Sequence, residues 1–395
     1  MLSQNTDLEP LNILVLGPTG VGKTTIVNRL TSEQLPVERR LRSGTQQPQA
    51  ASVKHQGRLI NYFDTPGFDD SILSSGEQLA RITSCLSTLY QVADRAPNIH
   101  GVLYVHRITD NKMPGSALRN LRVIENLLGL HAFKNLVFIT NMWDSQPDLE
   151  HVEREQELMT DRKYFASAIA GGARASANYR IRKDANETEV RNALSDLFLN
   201  CPPVTIQIQR DMSDDKRALR DTHAGRIIYE EVKAMIQATK QFIQELKAEL
   251  LALVGGGEER KRRVMFEKES AENQYEQAKK QEGILDLVLK KIKEHPSLSA
   301  LVVIAIAGAT TAGIIVIGSG KVVIVAKCAG TANAVASGTG TISVAGSPMV
   351  EAGTVTAAGA GVVGISVEGG VGLAAIVAAT AAGWMATIRG LKQNT

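Results

Sequence analysis

The stretch that decides the fold is Leu11–Thr24, which reads LNILVLGPTGVGKT. It begins with a mostly apolar run, which is typical of a strand buried in a parallel sheet. It ends with Gly17–Thr24, which matches G-x-x-x-x-G-K-[ST], a pattern whose glycines let backbone N–H groups turn towards phosphate oxygens. Residues 22–31 suit a helix, so the pattern stands between a strand and a helix. This context predicts a phosphate-binding loop rather than a chance glycine turn.

The side chains of this loop have distinct expected roles. Lys23 neutralises the β- and γ-phosphates of a nucleotide, and the hydroxyl of Thr24 is a ligand for Mg²⁺. The N-terminus of the following helix adds a favourable dipole. The residues predicted to bind the nucleotide here are Gly17, Pro18, Thr19, Gly20, Val21, Gly22, Lys23, Thr24 and Thr25.

A second motif, DTPG at residues 64–67, stands at the end of the predicted strand RLINYFD. Asp64 is expected to hold Mg²⁺, usually through water, while the N–H of Gly67 senses the γ-phosphate. DTPG alone is a common turn. Its place on a strand end, downstream of the phosphate-binding loop, makes it a predicted part of the same site.

A third motif, TNMWD at residues 140–144, follows the predicted strand NLVFIT. Asn141 and Asp144 occupy the first and last positions of N-K-x-D, the motif that recognises guanine. The aspartate accepts hydrogen bonds from guanine N1–H and N2–H₂ and so selects guanine over adenine. Met142 replaces the lysine, and its side chain can still cover the base by packing. The prediction is a GTP/GDP site, and an ATPase of the same loop class is the alternative.

The segment 34–50 has little periodicity and suits the mobile loop that carries a Mg²⁺-sensing threonine. Thr45 is the candidate, with Ser43 as the second choice and an ordinary solvated threonine as the alternative. The predicted metal ligands are therefore Thr24, Thr45 and Asp64, and the predicted catalytic residues are Lys23 and Thr45. Ser176–Ala177 is a further guess for the last contact with the base.

Strands and helices alternate through residues 10–210, which predicts an α/β fold, a three-layer domain with a mostly parallel sheet. Together with the three motifs, this pattern predicts a P-loop GTPase domain. The strands are expected at 11–17, 52–56, 58–64, 101–108 and 135–140, and the helices at 22–31, 76–93, 115–130 and 149–170. His55 and His106 fall on strands and are interpreted as surface or core histidines rather than catalytic ones.

Residues 211–295 form a second zone, rich in charges of both signs. Two apolar stripes with helical spacing, broken by GGG at 255–257, predict a pair of long helices in a charged hairpin. The stripes contain Ile228, Val232, Met235, Ile243, Leu246, Leu250 and Leu253, then Val264, Ala271, Tyr275, Ala278, Leu285, Val288 and Ile292. Solvated helix faces are the simpler interpretation, and a partner-binding coiled coil is the alternative. The basic run RKRR at 260–263 is balanced by nearby glutamates.

Residues 296–395 form a third zone, a Gly/Ala-rich hydrophobic tail with few charges. A bilayer span needs about 20 mainly apolar residues. Leu298–Ile317 and Gly370–Ile388 meet this requirement, so the tail is expected to be helical and to associate with membrane lipid. A soluble helical hairpin packed on the rest of the chain, or disorder, is the alternative.

The overall composition narrows the function class. Lysines and arginines outnumber acidic residues by only three, so the formal net charge is +3. This near-neutral balance argues against a nucleic-acid-binding protein. The three cysteines, Cys85, Cys201 and Cys328, are far apart and have no zinc or disulfide spacing. The polar start MLSQNTDLEP does not suggest a signal peptide. A cytoplasmic protein, membrane-associated through its tail, is expected.

With these motifs in order, the chain resembles the septin-like branch of P-loop GTPases, including its immunity-associated and chloroplast-import-receptor groups. TNMWD and the stretch VTIQIQRDMSDDKRALRDTHAG at 204–225 look most like fungal G-domain proteins of this branch. The resemblance covers about residues 10–255. It implies a guanine-nucleotide switch that works through G-domain homodimers.

Hydrolysis is expected to be slow. The resemblance implies that the glutamine that orients water after DxxG is missing, and here Phe68 occupies that place. Asp69 and Asp70 follow, but a carboxylate beside a γ-phosphate is electrostatically unfavourable. Catalysis is therefore left to Mg²⁺ and Lys23. The alternative is a nucleotide-binding scaffold or membrane-anchored structural protein that does not hydrolyse GTP.

Overall fold

The computed structural model describes residues 10–33, 35, 48–68, 73–253 and 257–294, and six strands between residues 302 and 367. Its main sheet has six strands in the order β2-β3-β1-β4-β5-β6. β2 is antiparallel to β3, and all the other pairs are parallel. The mostly parallel α/β sheet is therefore confirmed. The strands are β1 Leu11–Leu16, β2 Gln49–His55, β3 Arg58–Asp64, β4 Gly101–Arg107, β5 Leu136–Trp143 and β6 Arg180–Arg182.

Helices cover both faces of this sheet because β1 buries alternate side chains on opposite sides. Leu14 packs towards α2, α3 and α8, whereas Ile13 packs towards α1 and α6. The result is the predicted three-layer domain. The helices are α1 Lys23–Thr31, α2 Ser75–Val92, α3 Gly115–Leu128, α4 Leu149–Thr160, α5 Ala166–Ala170, α6 Glu187–Leu194, α7 Gln207–Gln209, α8 His223–Ala252, α9 Glu258–Leu285 and α10 Leu289–Glu294.

The single helix predicted over residues 149–170 is wrong, because the chain forms α4 and α5 with a turn between them. The turn lets Phe165 enter the core, where its ring stacks on Phe138 with centroids 4.0 Å apart. The backbone N–H of Phe165 donates to the carbonyl of Leu158 at 2.9 Å and closes the turn. A tertiary aromatic contact therefore overrides the local helical pattern.

The charged hairpin is confirmed as α8 and α9, and it has two parts. Near the domain, Ile228, Val232 and Leu285 belong to the main core. Farther along, Ile243 and Val264 belong to a small cluster that the two helices share. Met235 and Val288, which were assigned to the stripes, are 54% and 37% exposed because they point away from these contacts.

The stretch 204–225 fastens the hairpin to the domain. Asp211 is fully buried, and its carboxylate accepts a hydrogen bond from the backbone N–H of His223 at 2.9 Å. Gln209 donates from Nε2 to the carbonyl of Leu86 in α2 at 3.0 Å. These polar contacts explain how Gln209 and Asp211 can be buried in the interior.

The expected helical tail is wrong for those tail segments that the structure describes. β7 Val302–Gly308, β8 Thr311–Gly318, β9 Lys321–Cys328 and β12 Val363–Val367 form an antiparallel sheet in the order β12-β9-β8-β7. β10 Ala334–Ser337 pairs with β11 Thr341–Val344. Runs of Val and Ile favour strands, since β-branched side chains fit a pleated surface.

The two proposed membrane spans have different outcomes. Within Leu298–Ile317, the described residues form β7 and most of β8, so a helix there is wrong. Gly370–Ile388 lies outside the described residues. Across the part of the chain that the structure describes, no helix combines the length and the hydropathy needed to cross a bilayer.

Candidate nucleotide-binding site

The loop between β1 and α1 depends on glycine. Gly17 has φ +142°, and a Cβ there would lie 2.3 Å from the carbonyl oxygen of Val105 in β4. Gly22, directly before α1, has φ +94°. These positions cannot hold a larger side chain in this conformation. The chain thus forms a tight loop, with residues Gly17–Gly22 passing over the carboxyl end of the sheet.

Lys23 is folded back across this loop. It is 6% exposed, and its Nζ donates to the carbonyl oxygens of Gly17 at 3.1 Å and Pro18 at 2.8 Å. The ammonium group therefore lies inside the loop, where an anion would be expected. Thr25 follows in the first turn of α1.

Thr24 and Asp64, two of the three predicted metal ligands, are in direct contact. The Thr24 hydroxyl donates to Oδ2 of Asp64 at 2.6 Å. β1 and β3 are parallel neighbours, with Val15 paired to Asp64, so their carboxyl ends meet at one edge. Asp64 is fully buried, and the Thr65 hydroxyl donates to the carbonyl of Val15 at 2.8 Å. Sheet topology therefore joins two motifs that are far apart in sequence.

The DTPG motif also contacts the loop itself. The backbone N–H of Thr19 donates to the carbonyl of Phe68 at 2.9 Å. A Cβ on Gly67 would lie 2.6 Å from backbone atoms of Thr19, so only glycine fits there. The Phe68 side chain is fully buried in the core. Gly67 is thus held beside the loop, as its predicted role requires.

The TNMWD motif, which was predicted to recognise the base, joins the loop from the other side. Asn141 is 3% exposed, and its Nδ2 donates to the carbonyl of Val21 at 2.8 Å. Asp144 is half-exposed, and its Oδ1 accepts from Nζ of Lys183 at 2.9 Å. Met142 has φ +69°, a conformation that few non-glycine residues adopt. The motif therefore has one anchored end and one end open to a ligand.

The loop after β6 also contributes to this edge, and the sequence interpretation missed it. The backbone N–H of Lys183 donates to the carbonyl of Trp143 at 2.9 Å. The hydroxyl of Ser145 donates to Oδ2 of Asp184 at 3.2 Å. β6 has only three residues, so its sequence pattern was too short to recognise. Recognition of β6 as a parallel neighbour of β5 would have placed the loop after β6 at this edge.

The assignment of Ser176–Ala177 to the base contact is wrong. Just before them, Arg174 pairs with Val137, near the start of β5. Asn141 lies farther along the same strand, at its carboxyl end. Because β5 and β6 are parallel, that end is reached by β6 itself, where Ile181 pairs with Asn141, and by the residues after it. Thr45 and Ser43 lie outside the described residues.

The two strand histidines have non-catalytic surroundings. His106 is buried, and desolvation lowers its pKa to about 4. Its ring meets that of Phe165 edge-on, with centroids 5.9 Å apart. His55 is at the surface, and its Nε2 lies 2.5 Å from Oδ1 of Asp196. Both positions agree with core and surface histidines.

Residues 12–122, which contain the phosphate-binding loop and DTPG, match the family model described as "50S ribosome-binding GTPase". The chain contains a P-loop GTPase domain. Among solved structures, a dimerization-deficient mutant of Toc33 from Arabidopsis thaliana aligns with a TM-score of 0.39 and 20% identity. That alignment covers 50% of this chain and 88% of Toc33.

Two curated relatives of the GTPase domain are similar over part of their length. GTP-binding protein A of Dictyostelium discoideum is 27% identical over 175 residues, 40% of this chain and 37% of that protein. Translocase of chloroplast 90 of Arabidopsis thaliana is 30% identical over 129 residues, 33% of this chain and 16% of that protein. The chain thus spans well under half of either relative. The narrower resemblance to fungal G-domain proteins stays a prediction.

Proposed function

We propose that this chain binds GTP and GDP with Mg²⁺ and acts as a slow GTPase switch. The observation that carries the proposal is that two features lie together at the end of β1. One is Lys23, folded over the glycine loop, and the other is the hydrogen-bonded pair of Thr24 and Asp64. A buried ammonium group, a glycine loop and a helix N-terminus together favour a phosphate chain at this place. Gly67 lies against the same loop, where it would sense a γ-phosphate.

The donor set suits Mg²⁺. Thr24 and Asp64 offer a hydroxyl and a carboxylate oxygen, and Mg²⁺ is usually bound through one or two such groups together with substrate phosphates. When bound, the ion neutralises negative charge on the phosphate oxygens. Lys23 would exchange its hydrogen bonds to the loop carbonyls for bonds to the β- and γ-phosphates. Thr45 remains a predicted third ligand and catalytic residue.

Base selection is assigned to Asn141 and Asp144. Asn141 joins the motif to the phosphate-binding loop, so base and phosphates would bind to one connected surface. Asp144 keeps about half of its side chain exposed. Its carboxylate can therefore accept the N1–H and N2–H₂ donors of guanine, which adenine lacks. GTP is favoured over ATP on this ground.

Slow hydrolysis follows from the surroundings of DTPG. The Phe68 side chain is fully buried and has no polar group, so it cannot orient water. Lys23 remains as the cation that stabilises charge on the transferred phosphoryl group. The same observation favours a second candidate, a nucleotide-binding scaffold without hydrolysis. Single-turnover assays with excess protein distinguish the two, since measurable phosphate release excludes the scaffold.

The binding proposal is tested with Lys23→Ala in the full chain. Loss of the ammonium group should weaken GTP binding strongly, because the phosphate charge then lacks its main partner. Lys261→Ala, an exposed lysine in α9, is the matched control and should bind GTP as the parent does. Equal GTP affinity of Lys23→Ala and the parent would remove the proposed site.

The output of the switch is proposed to be a G-domain homodimer or an effector contact. α2 begins shortly after DTPG, and its Glu77 carboxylate lies 3.3 Å from Nζ of Lys280 in α9. A change around Gly67 would therefore reach the hairpin through α2. Sedimentation with GDP and with a non-hydrolysable GTP analogue tests dimerisation, which predicts a larger species with the analogue only.

Membrane association of a cytoplasmic protein through the tail is also proposed. The support is compositional: between Ser297 and Ile388, only Lys321, Lys327, Glu351 and Glu368 are charged. Flotation of the full chain with liposomes tests this, with residues 1–295 as the matched control. Recovery of the full chain in the unbound fraction would contradict it.

A further inference from the structure

A closed network of side chains surrounds the base-recognition motif. Glu155 of α4 is 3% exposed, and its Oε1 accepts a hydrogen bond from the Thr140 hydroxyl at 2.7 Å. Its Oε2 accepts from Nε of Arg180 at 2.8 Å and from Nη2 of the same guanidinium. That guanidinium lies 4.2 Å above the ring of Trp143. Trp143 completes the network by donating a hydrogen bond from Nε1 to the Thr140 hydroxyl at 3.0 Å.

The network brackets a strained residue. Met142 has φ +69°, and the pairing of β5 with β6 shifts there, between Asn141 and Trp143. An unfavourable backbone conformation of this kind persists only where its surroundings over-determine it. Thr140 and Trp143, on either side of the shift, are both bound into the network.

We propose that Glu155 and Arg180 are positioning residues for guanine recognition. The inference rests on the proposed function, because it assigns them to the same base site. They hold Thr140 and Trp143, and so fix the backbone that aims Asn141 and Asp144 at the base. The interaction of a guanidinium with both an indole face and a carboxylate requires the planar fork of arginine.

This placement separates the network from the phosphate side. Apart from the ion pair between them, the contacts of Glu155 and Arg180 described above are with β5, whereas Lys23 and Thr24 contact the loop and β3. Weakening the network should therefore change which base is preferred and leave the phosphate contribution intact. A role limited to stabilising the fold would weaken all nucleotides together.

The test measures the affinities of the full chain for GDP, IDP and ADP in the presence of Mg²⁺. IDP keeps the guanine N1–H but lacks the 2-amino group, so it reports on half of the Asp144 contact. The variants are Arg180→Gln, Glu155→Gln and Arg180→Lys, the last of which keeps a cation beside the buried carboxylate. Thermal unfolding is recorded for each.

The matched control is Arg220→Gln. Arg220 also joins a carboxylate and a ring, with Asp286 at 2.6 Å and Tyr229 at 5.6 Å, but it lies at the base of the hairpin. It should keep the parent's preference for GDP. Arg180→Lys should lower the ratio of GDP affinity to ADP affinity about tenfold, which corresponds to the loss of one cation–π contact. Its ADP affinity should stay within about twofold of the parent's.

Every other outcome would refute either the positioning role or the proposed function. If Arg180→Lys and Glu155→Gln fold and keep the full GDP preference, the positioning role is wrong while the proposed function stands. If GDP and ADP weaken in parallel, the network is structural only, and the positioning role is again wrong. If the parent shows no GDP preference, or binds GDP independently of Lys23, the proposed function itself fails.

Discussion

The phosphate side and the base side of the site are built differently. On the phosphate side, Lys23 and Asp64 are buried and contact backbone carbonyls or a neighbouring hydroxyl. On the base side, Asp144 and Lys183 are half-exposed. The phosphate side depends on backbone conformation and the base side on side-chain placement. Affinity and base selectivity should therefore be separable by substitution.

The largest effect is expected from Gly17→Ala, which breaks the phosphate side. The new Cβ would lie 2.3 Å from the Val105 carbonyl oxygen at φ +142°, so the loop must shift. We expect nucleotide affinity to fall by about 100-fold or more, in line with about 3 kcal/mol for such strain. Calorimetric titration with GDP measures it.

The control for this loop change is Gly115→Ala at the start of α3. Nothing lies within 4 Å of its Cβ position, so GDP affinity should equal that of the parent. If Gly17→Ala binds GDP as well as Gly115→Ala does, the loop does not form the phosphate site.

The next effect isolates the base side. Asp144→Asn replaces a carboxylate that accepts two guanine donors with an amide that can accept only through its oxygen. Hydrogen bonds to charged groups contribute about 2 kcal/mol, so GDP should bind about 30-fold more weakly. ADP affinity should stay at the parent's value in the same competition assay. A parallel loss for both nucleotides would show that Asp144 acts on the fold and not on the base.

A third prediction concerns His106, which lies on β4 between the two sides. Its burial lowers its folded pKa to about 4, below the unfolded value of about 6.5. The unfolded chain therefore binds the proton more readily, and stability falls as pH drops from 6.5 towards 4. Between pH 6.5 and 5 this histidine should cost about 2 kcal/mol of unfolding free energy.

Urea unfolding at pH 7 and pH 5 checks this sign and size. His106→Phe should lose less stability than the parent across that interval, by about 2 kcal/mol. Gly115→Ala, which changes no titratable group and meets nothing within 4 Å, is the control and should lose as much as the parent. Equal losses in all three proteins would contradict the assignment.

The smallest effect is expected from Lys183→Ala. Its ammonium lies 2.9 Å from Asp144, but both side chains are about half-exposed. Ion pairs of this kind contribute about 0–1 kcal/mol. GDP affinity should change by less than about fivefold in either direction. A loss as large as that of Asp144→Asn would mean that Lys183 itself contacts the nucleotide.

The sequence predicted the phosphate side more completely than the base side, for a physical reason. Gly17–Thr24 forms its loop from local backbone preferences, so its motif is sufficient. The contact of Thr24 with Asp64 depends on the parallel pairing of β1 with β3, which the structure supplies. Ser176–Ala177 failed because the choice depended on β6, whose three residues carry little pattern.

Other features depended on tertiary contacts that no local pattern shows. The break between α4 and α5 is made by Phe165 stacking on Phe138. The network joins Glu155 of α4 to Arg180 of β6, two residues that are 25 positions apart in the sequence. In the tail, glycine and alanine suggested helices, but the Val- and Ile-rich runs of β7 to β9 form strands. In these segments the content of β-branched residues predicts the secondary structure better than the content of glycine and alanine does.

The most direct test of the central claim is competition between GDP and ADP for the full parent chain in Mg²⁺. GDP should be preferred by about 30-fold or more, the contribution assigned to Asp144. Lys23→Ala should lose both nucleotides. Equal binding of GDP and ADP, or a preference for ADP, would contradict the account.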